Sequence, residues 1–224
     1  MERCSGDVLW IASIASHRVH SRGILVRLLE RLRGREQLLV RAADDLPLLL
    51  LSFPRGGLPV AREIEVAYAH TLPRLSAATR APYQPVFRAL PAMLVVLLRP
   101  LNPCRCLGHH HPRGAESRLT KRLAADLGRS IGEIDLAYQG IREWTPQPLS
   151  SLAAGALGSR LAGIHFQAGV LAVLLHELEH LALPENPEQE TRARSNAFYS
   201  AAMQQLVAEE SGADYGMAAR PPRP

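Results

Sequence analysis

The sequence predicts an α+β fold whose functional part lies in its second half. Three observations lead there. The run 167–183 lacks proline, and Val170, Leu171, Leu174, Leu175, Leu178 and Leu181 recur in it at spacings of three and four, as on a buried helix. Short segments at 134–138 and 161–166 read as strands. A last helix is expected over 187–210, followed by a loose tail at 211–224.

Taken in chain order, the first hundred residues are the least legible. Residues 21–40 carry Ile24, Leu25, Leu28, Leu29 and Leu32 on one side and several arginines on the other, which predicts a basic helix with a solvated face. Residues 46–53 are apolar and end at Pro54-Arg55-Gly56-Gly57, a turn signal, so a buried strand is expected there. A helix over 58–69 follows, then an apolar element over 89–101 between Pro91 and Pro100. Together 1–101 form a basic N-terminal region of unassigned role. Residues 102–116 read as a Cys/His/Pro-rich linker or loop. Cys104, Cys106 and His109, His110 and His111 fall within eight residues of one another, but structural zinc sites put two or more residues between paired cysteines. A solvated loop is therefore the default for this stretch, as a surface position is for His17 and His20.

From 117 the pattern becomes regular, and 117–210 is expected to be one domain. Leu119, Leu123 and Leu127 share a helix face over 117–127, which Gly128 should end. A strand is expected at 134–138, a turn at 144–148, and a strand at 161–166 feeding the apolar helix. That helix holds His176-Glu177-Leu178-Glu179-His180. Residues at i and i+4 stand one above the other, so both imidazoles can reach one ion, while Glu177 is turned aside to address a water. This is the HExxH arrangement, with two histidines binding zinc and the glutamate as general base. With 9 histidines and 15 glutamates in 224 residues, chance produces the pattern about 0.02 times per chain.

With this motif and this order of elements, the chain resembles the HExxH zinc metallopeptidases, the zincins, and in particular the minimal gluzincin core of the ImmA/IrrE type. The resemblance covers roughly 117–210. It implies a Zn2+ cofactor, a peptide or protein substrate, a glutamate ligand from the next helix, and peptide docking along the strand before the active-site helix, here 161–166. A catalytic zinc takes three protein ligands. No third histidine follows at the position of the longer pattern, where Asn186 stands, which leaves Glu185, Glu188 and Glu190. Glu185 lies in the Pro184–Pro187 loop. Glu190 shares a stripe with Ala193, Ala197, Ala201 and Gln204 and is the expected ligand, with Glu188 as the alternative. The expected site is thus His176, His180 and Glu190 around zinc, Glu177 as base, and His165 or Tyr199 as candidate oxyanion donors. Two features depart from the familiar pattern. Only ten positions separate His180 from Glu190, and Glu179 stands where a small residue is usual. The rival reading is a zincin-fold regulatory protein without proteolysis, whose basic N-terminal half contacts DNA or a protein.

Composition constrains the rest. Of 26 basic residues only Lys121 is lysine, and aromatics are 5 %. Such an arginine bias reflects base composition as readily as a basic surface, so the net charge of +5 carries little weight for nucleic acid. Residues 1–115 hold 16 arginines against 8 acidic residues, net +8, and the rest is net −3. Three cysteines are too few for a disulfide framework, no run of 18 to 20 apolar residues is evident, and the first residues lack a basic leader, so a cytoplasmic protein with no membrane contact is expected.

Overall fold

The protein is α+β, with a six-stranded mixed sheet and a long buried helix against one face. The computed structural model describes residues 10–11, 35–43, 45–102, 106–144 and 156–218. The expected basic helix over 21–40 and its arginines lie largely outside these residues, as do His17, His20, Cys4, Cys104 and most of the 144–148 turn. Its last six residues, 35–40, are a strand instead.

The strands are β1 (Trp10–Ile11), β2 (Arg35–Val40), β3 (Leu48–Pro54), β4 (Met93–Arg99), β5 (Gly108–His110) and β6 (Gly132–Ala137). β3, β4 and β6 run parallel in the middle, and β2 and β5 are antiparallel to their neighbours. β3 and β4 read as nearly continuous apolar runs because both faces are covered. Met93 to Leu98 are all buried. Crossovers between parallel strands need helices. The first is α1 (Leu58–Glu65), extended by a π-helical stretch (Val66–Thr71), with α2 (Gln84–Ala89) leading into β4. The second is α3 (Arg118–Leu127), capped by the Ser117 hydroxyl and ended, as its sequence predicts, by Gly128 at φ 61°. The short α4 (Tyr138–Glu143) follows β6.

The sheet spans the expected units. β2, β3 and β4 come from 1–101, β5 from the expected linker, and β6 from 117–210. Cys106, also in that linker, is disulfide-bonded.

Two long helices complete the fold, α5 (Ala156–Ala182) and α6 (Glu188–Ala218). The strand expected at 161–166 is the second turn onward of α5. A short apolar run cannot be assigned by periodicity alone, and here it continues the 3.6-residue repeat of the motif helix. The expected tail likewise begins later, since α6 continues to Ala218. Gly158–Ala182 is long and apolar enough to cross a membrane, contrary to the reading of the sequence, but 67 % of its apolar window is buried within the fold. A helix apolar on all sides is what a position between sheet and helices requires. Leu171, Leu174, Leu175 and Leu178 are fully buried.

Candidate metal centre on the long buried helix

Alternation along β5 and β6 decides what reaches α5. Gly108 pairs with Leu136 and His110 with Ile134, which puts these four on one face, while His109 and Asp135 take the other. The first face is the one against α5, since a Cβ on Gly108 would meet Glu177 and Val173, and one on Gly132 would meet Leu181.

On α5 the two motif histidines sit one turn apart with ring centres 4.8 Å apart. The hairpin Leu183–Pro187 then brings the first residue of α6 back over them. Glu188 Oε2 lies 2.9 Å from His180 Nε2 and 3.6 Å from His176 Nε2. Its other oxygen accepts from Arg192 Nη2 at 2.9 Å. Burial pushes the Glu188 carboxyl upward, but the two histidines and Arg192 outweigh it and leave its pKa lowered. Behind His176, Nδ1 lies 3.5 Å from Ser195 Oγ, which donates to the Arg192 carbonyl at 3.0 Å. That contact favours the tautomer whose Nε2 lone pair faces Glu188.

The structure brings Glu188, and not the expected Glu190, to the motif histidines. Glu190 points into solvent and lies 3.9 Å from Arg194. The inward stripe of α6 is Thr191, Ser195, Phe198, Ala202 and Leu206, and Glu188 is in phase with it. The alanine stripe of 193 and 197 is exposed instead. Thr191 and Ser195 face inward because each serves a motif residue.

Glu179 explains how so short a hairpin holds its shape. This carboxylate is 1 % exposed and accepts from Asn186 Nδ2 at 2.8 Å, Thr191 Oγ1 at 3.0 Å and Arg194 Nε at 2.9 Å, with Arg194 Nη2 closer still. Burial alone would raise its pKa, and the bonds from Arg194, Asn186 and Thr191 more than reverse this. The residue that departs from the familiar motif therefore pins the loop and first turns of α6 to α5.

Glu177 is 7 % exposed and faces β5. His110 Nδ1 lies 3.4 Å from its Oε2, and the His110 ring stacks on His180 with centres 5.2 Å apart and planes 22° apart. His110 is the site residue the sequence did not place. It stood in a presumed linker, and three residues reading Gly-His-His carry no strand pattern. His109, His110 and His111 do not converge on a single ion, because alternation sends His110 to one face and its neighbours to the other.

The candidate oxyanion donors lie elsewhere. His165 is 2 % exposed and its Nδ1 is hydrogen-bonded to Tyr199 Oη, with Trp144 beside both rings. His165 precedes His176 by eleven residues, about 16 Å along the axis. Burial lowers the pKa of His165 and raises that of Tyr199.

The donor set suits zinc. Tetrahedral zinc with bonds near 2.0–2.1 Å spaces its nitrogen and oxygen ligands about 3.3 Å apart. The ligand atoms of His176, His180 and Glu188 all lie within 4.8 Å of one another, and no other group of three or more such side chains does so among the described residues. No family model, curated protein or solved structure matches this chain.

Proposed function

We propose that the chain is a zinc-dependent peptidase of gluzincin type, with His176, His180 and Glu188 holding the metal and Glu177 as general base. The observation that carries this is the convergence of Glu188 on both HExxH histidines, from a helix whose entry is fixed by the fourth motif residue, Glu179.

Zinc bound there would lower the pKa of its water toward about 7 and polarise a carbonyl. The protein side of the chemistry follows from the residues. Glu177 accepts the proton of the attacking water and returns it to the departing amine. Ser195 keeps His176 oriented, and Arg192 holds the Glu188 oxygen that does not face the histidines. β5 pairs with β6 along one edge, and among the described residues its other edge is open to an extended peptide. The docking strand expected at 161–166 is thus replaced by 108–110.

The test is zinc content per chain by elemental analysis, on protein made without a histidine tag, beside His176→Ala. About one zinc, lost in the variant, supports the site. Zinc absent from both after zinc is supplied overturns it. Hydrolysis of labelled casein that disappears in Glu177→Gln while zinc stays bound separates a peptidase from a zinc-bound regulatory protein.

A further inference from the structure

We propose that strand β5 belongs to the catalytic apparatus: His110 is a positioning residue that, together with the bare backbone at Gly108, fixes the carboxylate of Glu177. The proposal rests on the hydrolytic reading above and adds to it a second element that aims the base.

A glutamate that moves a proton must hold its carboxylate in one place, and α5 alone does not ensure that. Glu177 has three side-chain torsions, and the residues one turn away at i−4 and i+4, Val173 and Leu181, are apolar. Among the described residues its one hydrogen-bonding partner comes from the sheet, His110 Nδ1 at 3.4 Å from Oε2. A carboxylate can only accept, so Nδ1 donates. The imidazole is itself held, because its ring lies flat against His180. The His110 side chain keeps 27 % of its surface exposed, so it stands at the open margin of the site.

Gly108 confines the other oxygen. A Cβ built there would lie 2.7 Å from both Cγ and Oε1 of Glu177 and 2.8 Å from Val173 Cγ1. The strand backbone therefore rests directly on the base, an approach that only glycine permits. One carboxylate oxygen meets an N–H donor and the other meets a wall, both from residues two apart on one face of β5. Because β5 is also the edge offered to an extended peptide, the strand that would align the substrate is the strand that aims the base.

Three variants test this: His110→Ala, His110→Gln and Gly108→Ala. With labelled casein as substrate, His110→Ala is expected to keep one zinc per chain and its KM while kcat falls about 10- to 100-fold, the scale of a misaimed catalytic group. His110→Gln, which retains an N–H donor, should recover part of the loss. Gly108→Ala should lower kcat by pushing Glu177 aside, again with zinc retained. Full kcat in His110→Ala, or loss of zinc with it, overturns the proposal. A second measurement needs no substrate. In histidine-selective 15N spectra, the His110 Nδ1–H signal should shift in Glu177→Ala while that of His111 stays in place. If it does not shift, the clamp is absent. If it shifts but the parent cleaves no casein, the hydrolytic reading fails and the clamp alone stands.

Discussion

His110 and His111 are adjacent in sequence, and Glu177 and Glu179 are two apart, yet each pair divides between two jobs. His110 stacks on a motif histidine and reaches Glu177, with a quarter of its side chain in solvent. His111 is 3 % exposed on the opposite face, with Nε2 3.9 Å from both Glu133 and Asp135. Glu177 has His110 beside it, whereas Glu179 is saturated by Asn186, Thr191 and Arg194. Residue type is the same within each pair. The division comes from the element's period, two for the strand and 3.6 for the helix, and from what the facing element supplies. In each pair one member lies beside the proposed centre while the other holds the scaffold.

The largest effect should separate the histidines. His111→Ala empties a buried position beside Glu133 and Asp135 and is expected to cost about 3 kcal/mol, from the cavity and the lost partner, although Ser117 still bonds Glu133 and Arg99 still faces Asp135. His110→Ala should cost below about 1 kcal/mol, and denaturant midpoints compare the two directly. Equal losses would break the comparison.

The buried face also predicts a pH dependence. Burial pushes Asp135 up to about 6, with His111 and Arg99 only partly offsetting it. A raised folded pKa means that the folded state binds the proton more tightly. The stability from this group is therefore full near pH 4 and lost as pH rises to about 6, by up to about 3 kcal/mol. Asp135→Asn should remove that slope. Glu179, whose pKa is lowered, contributes in the opposite sense, so its share is lost as pH falls below the ordinary carboxylate range. Urea unfolding of both proteins from pH 4 to 7 reads the difference, and parallel curves would show Asp135 to be silent.

The motif was legible because i and i+4 on a helix converge whatever the fold around them. β3, β6 and α3 were legible for similar local reasons, an apolar run, an alternation, and a leucine stripe ended by Gly128, while β4 was legible only as an apolar element. The approach of Glu188 to the histidines was not. The phase of α6 was read from Ala193 and Ala197, small residues that suit helix packing, whereas the buried stripe carries Thr191 and Ser195. These polar residues face inward only because Glu179 and His176 await them there, a tertiary fact with no local signature. β5 failed for the same reason, as nothing in Gly108, His109 and His110 marks a strand without β6 to pair with.

Glu188→Gln should weaken zinc about 10- to 100-fold, and Glu190→Gln less than about twofold, in competition with a chromophoric chelator. The reverse ranking would restore the alanine-stripe phase and remove Glu188 from the site.

The smallest effect concerns the scaffold member of the glutamate pair. Thr191 is fully buried, and its hydroxyl donates one bond to Glu179 Oε1 at 3.0 Å. Thr191→Val keeps the shape and removes that bond alone. The same oxygen still accepts from Asn186 and Arg194, so no charge is left bare, and the expected cost is about 1 kcal/mol. Zinc affinity should fall by no more than a few-fold, because Arg194 still ties α6 to α5. Glu179→Gln, which withdraws the charge that Arg194 pairs with, should cost more and weaken zinc further. Were the two variants equal, the hairpin would be held by its backbone bonds, Leu183 N to Glu179 O at 2.7 Å and Asn186 N to Leu183 O at 3.0 Å, and not by the buried carboxylate.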